Sequence, residues 1–217
     1  MGRGESGSGE AAGASARAAS SNPAAAAAPA GIRKRRRRFK ALSNTEIEKA
    51  GRMLGVPFRG RVMWDPPDLA RQLPKIAASP TPYFIWNDSP KGTHWTGVLI
   101  DKEGGTAYVF NSMGLPLDQP VVDALYDELG IRSFVSNDAP IQASDSASCG
   151  YWAVYFLYKA QQQLGKNKEV QTRGAYRKTY RDLIDRLSTD DYESNEDFIE
   201  GWWRARNLPV SSSSSSI

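Results

Sequence analysis

The stretch from Cys149 to Leu164 constrains this chain most, because Trp152, Val154, Tyr155, Phe156 and Leu157 make it apolar around much of its circumference. A helix without a polar face has to be enclosed by other elements, so the pattern predicts a helix buried in the core. Its first residue is the only cysteine of the chain. With 217 residues and 40% hydrophobic content, there is material for one such core and hardly for two.

On either side, the punctuation alternates between helix and strand. Ser43, then Glu46, then Ile47, Ala50, Met53 and Leu54 read as a capping box opening a short helix that Gly55 stops. Pro66, Pro67, Pro74, Pro80 and Pro82 are expected to confine the next section to loops and short pieces. Strand-like runs follow at Tyr83 to Asn87, His94 to Ile100 and Thr106 to Asn111, the last two joined as a hairpin across Asp101 to Gly105. A helix from about Pro120 to Gly130, a short strand at Ser133 to Ser136, and helices around Tyr176 to Leu187 and Asn195 to Arg206 complete the folded region.

Charge separates the tails from that region. The first forty residues carry nine Lys or Arg against two Glu, which leaves nineteen basic against twenty-two acidic residues in the remainder. Residues 1–40 therefore read as a disordered Gly/Ala/Ser-rich tail ending in a basic run, residues 41–208 as the folded domain, and residues 209–217 as a Ser-rich disordered tail. The run Arg33, Lys34, Arg35, Arg36, Arg37 and Arg38 fits nuclear import or nucleic-acid binding, with a solubilising charge run as the alternative. No apolar stretch approaches the length of a membrane span or forms a signal core, so the expectation is a soluble, unsecreted protein without a membrane partner. One cysteine and one histidine are too few for an internal disulfide or a structural zinc site, and no metal or cofactor is expected.

A cysteine opening a helix faces unpaired backbone N–H groups and the positive end of the helix dipole, both of which favour thiolate. Such a nucleophile needs a base with a pKa near neutrality, and His94 is the one histidine available. Taken singly, each residue has a plainer reading, Cys149 as a small core residue and His94 as a hydrogen-bonded surface residue.

The surrounding pattern is more specific. His94-Trp95, then Tyr108 to Gly114, then Gln142 to Gly150 resemble the adenovirus protease (adenain) family, relatives of the proteases of ubiquitin-like proteins. The steps of seventeen residues from His94 to Asn111 and seven from Gln142 to Cys149 are those of that family. Leu54 to Gly60 is similar to its early helix end and turn. The resemblance implies an α+β, papain-like or adenain-like cysteine protease, with a small mixed or antiparallel sheet packed against helices.

It also implies roles. Cys149 would be the nucleophile, His94 the proton shuttle, Gln142 the oxyanion donor together with the backbone N–H of Cys149, and Asn111 the residue that orients the imidazole. The family places a carboxylate where this chain has Asn111, and Asp88, Asp101 or Asp118 is the alternative source of that charge. By resemblance the substrate is a viral structural precursor cut near glycine, with the host nucleus and virion as location and DNA as a possible activator through the basic tail. A disulfide-tethered activator peptide is not expected, since there is no second cysteine. The expected state is a monomer. Two alternatives stay open: a deubiquitinase or modifier protease of the nucleus or cytoplasm, and a catalytically inactive nucleic-acid-binding structural protein.

Overall fold

Helix α1 (Asn44–Leu54) starts where the capping box places it. The Ser43 side chain accepts from the Glu46 N–H, the Glu46 carboxylate accepts from the Ser43 N–H at 2.7 Å, and Gly55 closes the helix at φ 68°. These contacts belong to a computed structural model that describes residues 39–88, 94–165, 173–187 and 189–209. The basic run Arg33 to Arg38 and the serine tract lie outside the described residues.

The elements that follow are β1 (Val62–Met63), α2 (Pro66–Ala77), β2 (Tyr83–Asn87), β3 (Trp95–Asp101), β4 (Thr106–Phe110), α3 (Gln119–Leu129), β5 (Ser133–Ser136), α4 (Cys149–Gly165), α5 (Arg173–Ile184) and α6 (Tyr192–Arg204). The five strands lie in chain order in one mixed sheet, antiparallel through β2, β3 and β4 and parallel at the two edges. The protein is thus α+β, as its sequence implies.

One expectation fails at α2, where proline was read as confining the chain to loops. Pro66 and Pro67 occupy the first turn, whose N–H groups have no intrahelical acceptor, so nothing is lost there. The single interior proline, Pro74, forfeits one bond near the end, while Leu69, Leu73 and Ile76 bury a continuous face. Burial of those three side chains, at about 1.5–3 kcal/mol each, outweighs the roughly 3 kcal/mol that an interior proline costs. Strand β1 is two residues long and leaves no alternation to read.

Every residue of β2, β3 and β4 is buried, because helices cover both faces of the sheet. Tyr83, Ile85, Trp95, Leu99, Tyr108 and Phe110 join a cluster with α1, α4, α5 and α6, whereas Phe84, Trp86, Val98, Ile100 and Ala107 pack with α2 and α3. Helix α4 is the centre of the first cluster and crosses β3 at Gly97, where an added Cβ would stand 3.3 Å from Phe156 and 3.4 Å from Leu157. That absent side chain lets helix and strand approach closely enough to fix the position of Cys149.

Residues next to the described region's N-terminal limit are packed against the core. Phe39 is buried edge-on against Tyr151 with centroids 4.7 Å apart, the Lys40 carbonyl accepts from the Tyr151 hydroxyl, and the Leu42 carbonyl accepts from the Trp95 indole at 2.8 Å. At the other end, Leu208 is buried and the Pro209 carbonyl accepts from the Trp203 indole.

Burial leaves a titration signature. It is the main cause pushing Tyr151 and Tyr176 each up to about 12, with nearby carboxylates adding to it, and it also raises Tyr83 and Tyr180. A raised folded-state pKa gives stability that is whole below the unfolded value of about 10 and is lost as pH rises toward the folded one. Thermal melts followed by circular dichroism should therefore show a melting temperature falling steadily above about pH 10, and a flat profile to about pH 11.5 would contradict this burial.

Candidate active site

His94 immediately precedes β3, and its carbonyl accepts from the Asp88 N–H just beyond β2, so the ring stands at the open end of the hairpin pair. Asn111 lies one step past the Gly97–Phe110 pair on β4, level with Thr96 on the neighbouring strand. The seventeen-residue interval is thus the length of this hairpin. His94 Nε2 and Asn111 Oδ1 are 2.8 Å apart.

The direction of that bond follows from the other partners of Asn111. Its Oδ1 also accepts from the Met113 N–H at 2.9 Å, and its Nδ2 donates to the Thr96 hydroxyl at 3.2 Å. Oδ1 is therefore the acceptor end, and His94 must donate from Nε2. The lone pair of the neutral imidazole is left on Nδ1.

Asn111 is itself clamped. Its N–H donates to Asn137 Oδ1 at 2.9 Å, and its carbonyl accepts from Asn137 Nδ2 at 2.5 Å, which extends the β4–β5 pairing with a side chain. Asn137 also donates to the Ala139 carbonyl. Loop residues 137–148 return past β4, where Ile141 and Gln142 both donate their N–H groups to the Ser112 carbonyl.

Gln142 is buried and held at both ends of its amide. Its Oε1 accepts from the Ser112 hydroxyl at 2.6 Å and lies 3.3 Å from the Ser148 hydroxyl, while its Nε2 donates to the Ser146 carbonyl at 3.2 Å. A second Nε2 hydrogen remains for another acceptor. Ser148 immediately precedes Cys149, so seven residues of sequence separation close to a short reach.

Cys149 opens α4 with 3% of its surface exposed. The backbone N–H groups of Trp95, the residue after His94, of Gly150 and of Cys149 itself lie beside its thiol and favour the charged form. Gly150 allows the close approach, since a Cβ there would lie 3.1 Å from the Trp95 ring and 3.2 Å from Leu42. Trp95 is a packing residue whose backbone, not its ring, meets the thiol.

The expectation that the helix N-terminus would favour thiolate is outweighed. Burial is the largest influence and pushes the thiol up; the N–H groups of Trp95, Gly150 and Cys149 pull it down, and the Asp88 carboxylate pushes it up again. The net push on the Cys149 thiol is upward, toward its neutral form.

The three alternative acids divide. Asp118 accepts from the Trp86 indole at 2.7 Å, and Asp101 caps the hairpin turn through the Gly104 N–H at the far end of β3, about 20 Å along the strand. Asp88 is near enough to act on the thiol, but the ring nitrogen Nε2 is met by Asn111. Among the described residues no group of three or more His, Cys, Asp or Glu could hold a metal ion, and no helix is long and apolar enough to cross a membrane.

The structure brings Cys149, His94, Asn111 and Gln142 to one end of the sheet. Reasoning from sequence missed Thr96, Ser112, Asn137, Ser148 and Glu196, which hold them. Thr96 follows His94 by two residues and so shares its strand face, a period-two signal that was available.

No protein-family model matches this chain, and no curated protein does. Among solved structures it is similar to the SUMO protease Ulp1 with its catalytic cysteine oxidised to a sulfinic, a sulfonic or a sulfenic acid. Identities are 13%, 12% and 13%, covering 69%, 69% and 70% of this chain and 80% of each of those, with a TM-score of 0.38 in all three. The chemistry assigned below rests on this chain's own residues.

With only one histidine in the chain, its two ring nitrogens can be read without ambiguity by ¹⁵N NMR. At a pH where the ring is neutral, the wild type should be the Nε2–H tautomer, and Asn111→Ala should redistribute the proton between the nitrogens. A wild-type ring protonated on Nδ1 would contradict the bond geometry.

Proposed function

We propose that this chain is a cysteine endopeptidase. The observation that carries the reading is the Asn111-fixed tautomer of His94, which leaves a basic nitrogen on a ring whose next residue in the chain, Trp95, lies beside the Cys149 thiol. Nδ1 takes the thiol proton as sulfur attacks the substrate carbonyl carbon. The negative charge that develops on the carbonyl oxygen is met by the second Nε2 hydrogen of Gln142 and by the Cys149 backbone N–H. Imidazolium returns its proton to the departing amine, leaving a thioester. Water, losing a proton to His94, then hydrolyses that thioester and regenerates the thiol.

Asn111 steers the ring without adding charge. An amide carbonyl stabilises imidazolium less than a carboxylate does, so catalysis here leans on orientation and on the oxyanion donors. Depth bears on substrate choice: a nucleophile 3% exposed is reached most easily where the residues flanking the scissile bond are small, which favours glycine. A cleft of about 530 Å³, lined by Trp64, Trp86 and the N-terminal turns of α2 and α3, borders Asp88 and offers room for a peptide. The finer reading is a maturation protease that processes structural precursors of a virus, carried to the nucleus or to nucleic acid by Arg33 to Arg38. The six consecutive cations support the second part of that reading, and the family resemblance supports the first.

Wild type and Cys149→Ala should be compared on internally quenched peptides with glycine on either side of the scissile bond, and on ubiquitin-type precursors. Cleavage of the glycine peptides, falling at least about 10³-fold in Cys149→Ala, is expected. Cleavage confined to the modifier precursors would redirect the substrate assignment. No cleavage of either, or cleavage that survives the substitution, would overturn the proteolytic reading.

A further inference from the structure

Helix α6 reaches the site through two adjacent residues. Asn195 donates from Nδ2 to the Ile141 carbonyl at 2.9 Å, and the Ser148 hydroxyl lies 2.9 Å from Glu196 Oε1. Ile141 precedes Gln142 and Ser148 precedes Cys149. Neighbouring side chains of one helix therefore hold both ends of the span that carries the oxyanion donors.

Both residues are 5% exposed, and a carboxylate at that depth costs several kcal/mol in lost hydration unless it is hydrogen-bonded. A purely packing role could be filled by an apolar residue without that cost. What the carboxylate supplies is a strong acceptor at a defined place. The Ser148 hydroxyl has one proton and two acceptors, Glu196 Oε1 at 2.9 Å and Gln142 Oε1 at 3.3 Å. The nearer oxygen takes it. Ser148 is thereby fixed in one rotamer with its lone pairs free to accept, while Gln142 Oε1 takes its proton from Ser112 and Gln142 Nε2 donates to the Ser146 carbonyl. The Ser146 hydroxyl completes the chain by donating to Ser148 at 3.1 Å. Since Ser148 shares a peptide unit with the Cys149 N–H, one anchor sets the bearing of both oxyanion donors.

We propose that Glu196 is a positioning residue for the oxyanion hole: through Ser148 it holds the Cys149 N–H, and through Ser146, which donates to Ser148 and whose carbonyl accepts from Gln142 Nε2, it holds the Gln142 amide in register with the transition state. This inference rests on the proteolytic reading above. It assigns to a helix remote in sequence a part in the reaction that neither the histidine nor the cysteine motif contains. An anchor of this kind acts when charge develops on the substrate oxygen, not when substrate binds, and so it affects kcat more than KM.

The test uses the full chain, the best glycine peptide from the panel above, the matching peptide aldehyde as a transition-state analogue, and iodoacetamide labelling of Cys149. Glu196→Ala and Ser148→Ala should each lower kcat about tenfold or more with KM changed less than about twofold. Their double variant should be no worse than the weaker single, because both break one path. Aldehyde affinity should weaken by the same factor as kcat/KM. Glu196→Gln keeps a carbonyl acceptor and should restore kcat to within about threefold of wild type, while the labelling rate of Cys149 stays constant throughout.

Additive losses, or labelling that falls in step with kcat, would mark a general structural role and overturn the proposal. If Glu196→Ala does not fold, Ser148→Ala decides, and an unchanged kcat there overturns it. A wild type that neither turns over nor binds the aldehyde brings down the proteolytic reading and this inference together. A wild type that turns over but is indifferent to these variants removes the inference alone.

Discussion

The packing of α4 onto β3 is the contact on which the rest of the molecule depends. A helix carrying Trp152, Phe156 and Leu157 can be stable only in the middle of a core, and Gly97 makes the middle of the sheet the place where it fits. Truncation of one such aromatic typically costs about 3–5 kcal/mol, a large part of the stability of a domain this size. The same contact sets the first turn of α4 against Trp95, with Gly150 lacking the Cβ that would push it away. The thiol therefore meets the strand beside His94 as a by-product of forming the core. Hydrophobic burial, the largest energy in the fold, does the coarse positioning of Cys149.

Fine positioning is polar and uses almost no charge. Asn111 sets the tautomer of His94, Asn137 sets Asn111, and Ser112 ties Asn111's strand to Gln142. The one buried carboxyl group in this set, Glu196, meets Ser148, whereas the His94 ring is met by the neutral Asn111 amide. A site arranged this way favours the neutral thiol at Cys149, since burial raises it and no fixed cation among the described residues acts to lower it. In the proposed mechanism, ionisation then depends on the imidazole of His94 as base.

Much of this was legible in the chain because local rules and packing agree. The capping box at Ser43 and Glu46, the left-handed glycines at Gly55 and Gly130, and the hairpin around Gly104 and Gly105 each give one solution, and the structure adopts it. The hairpin also made the His94–Asn111 interval meaningful, since antiparallel pairing converts sequence distance into proximity. Proline-rich α2 misled because a proline count does not reveal which helical position each proline takes, and the first turn tolerates what the interior does not. The burial of Phe39 was hidden for a similar reason: a single aromatic following a basic run shows no periodicity, and only its fit against Tyr151 explains it. Glu196 was invisible in the sequence, because nothing local distinguishes a buried glutamate on an amphipathic helix from a solvated one.

The central claim is that Cys149 depends on His94 for its reactivity. Iodoacetamide labelling of the folded chain across about pH 5 to 10, in wild type and in His94→Ala, tests it directly. Because burial raises the thiol, the variant should label only above the ordinary thiol range near 8.5, while the wild type labels at least about tenfold faster near neutrality through its imidazole. Two superimposed profiles, each following an ordinary exposed thiol, would contradict both the burial of Cys149 and its pairing with His94.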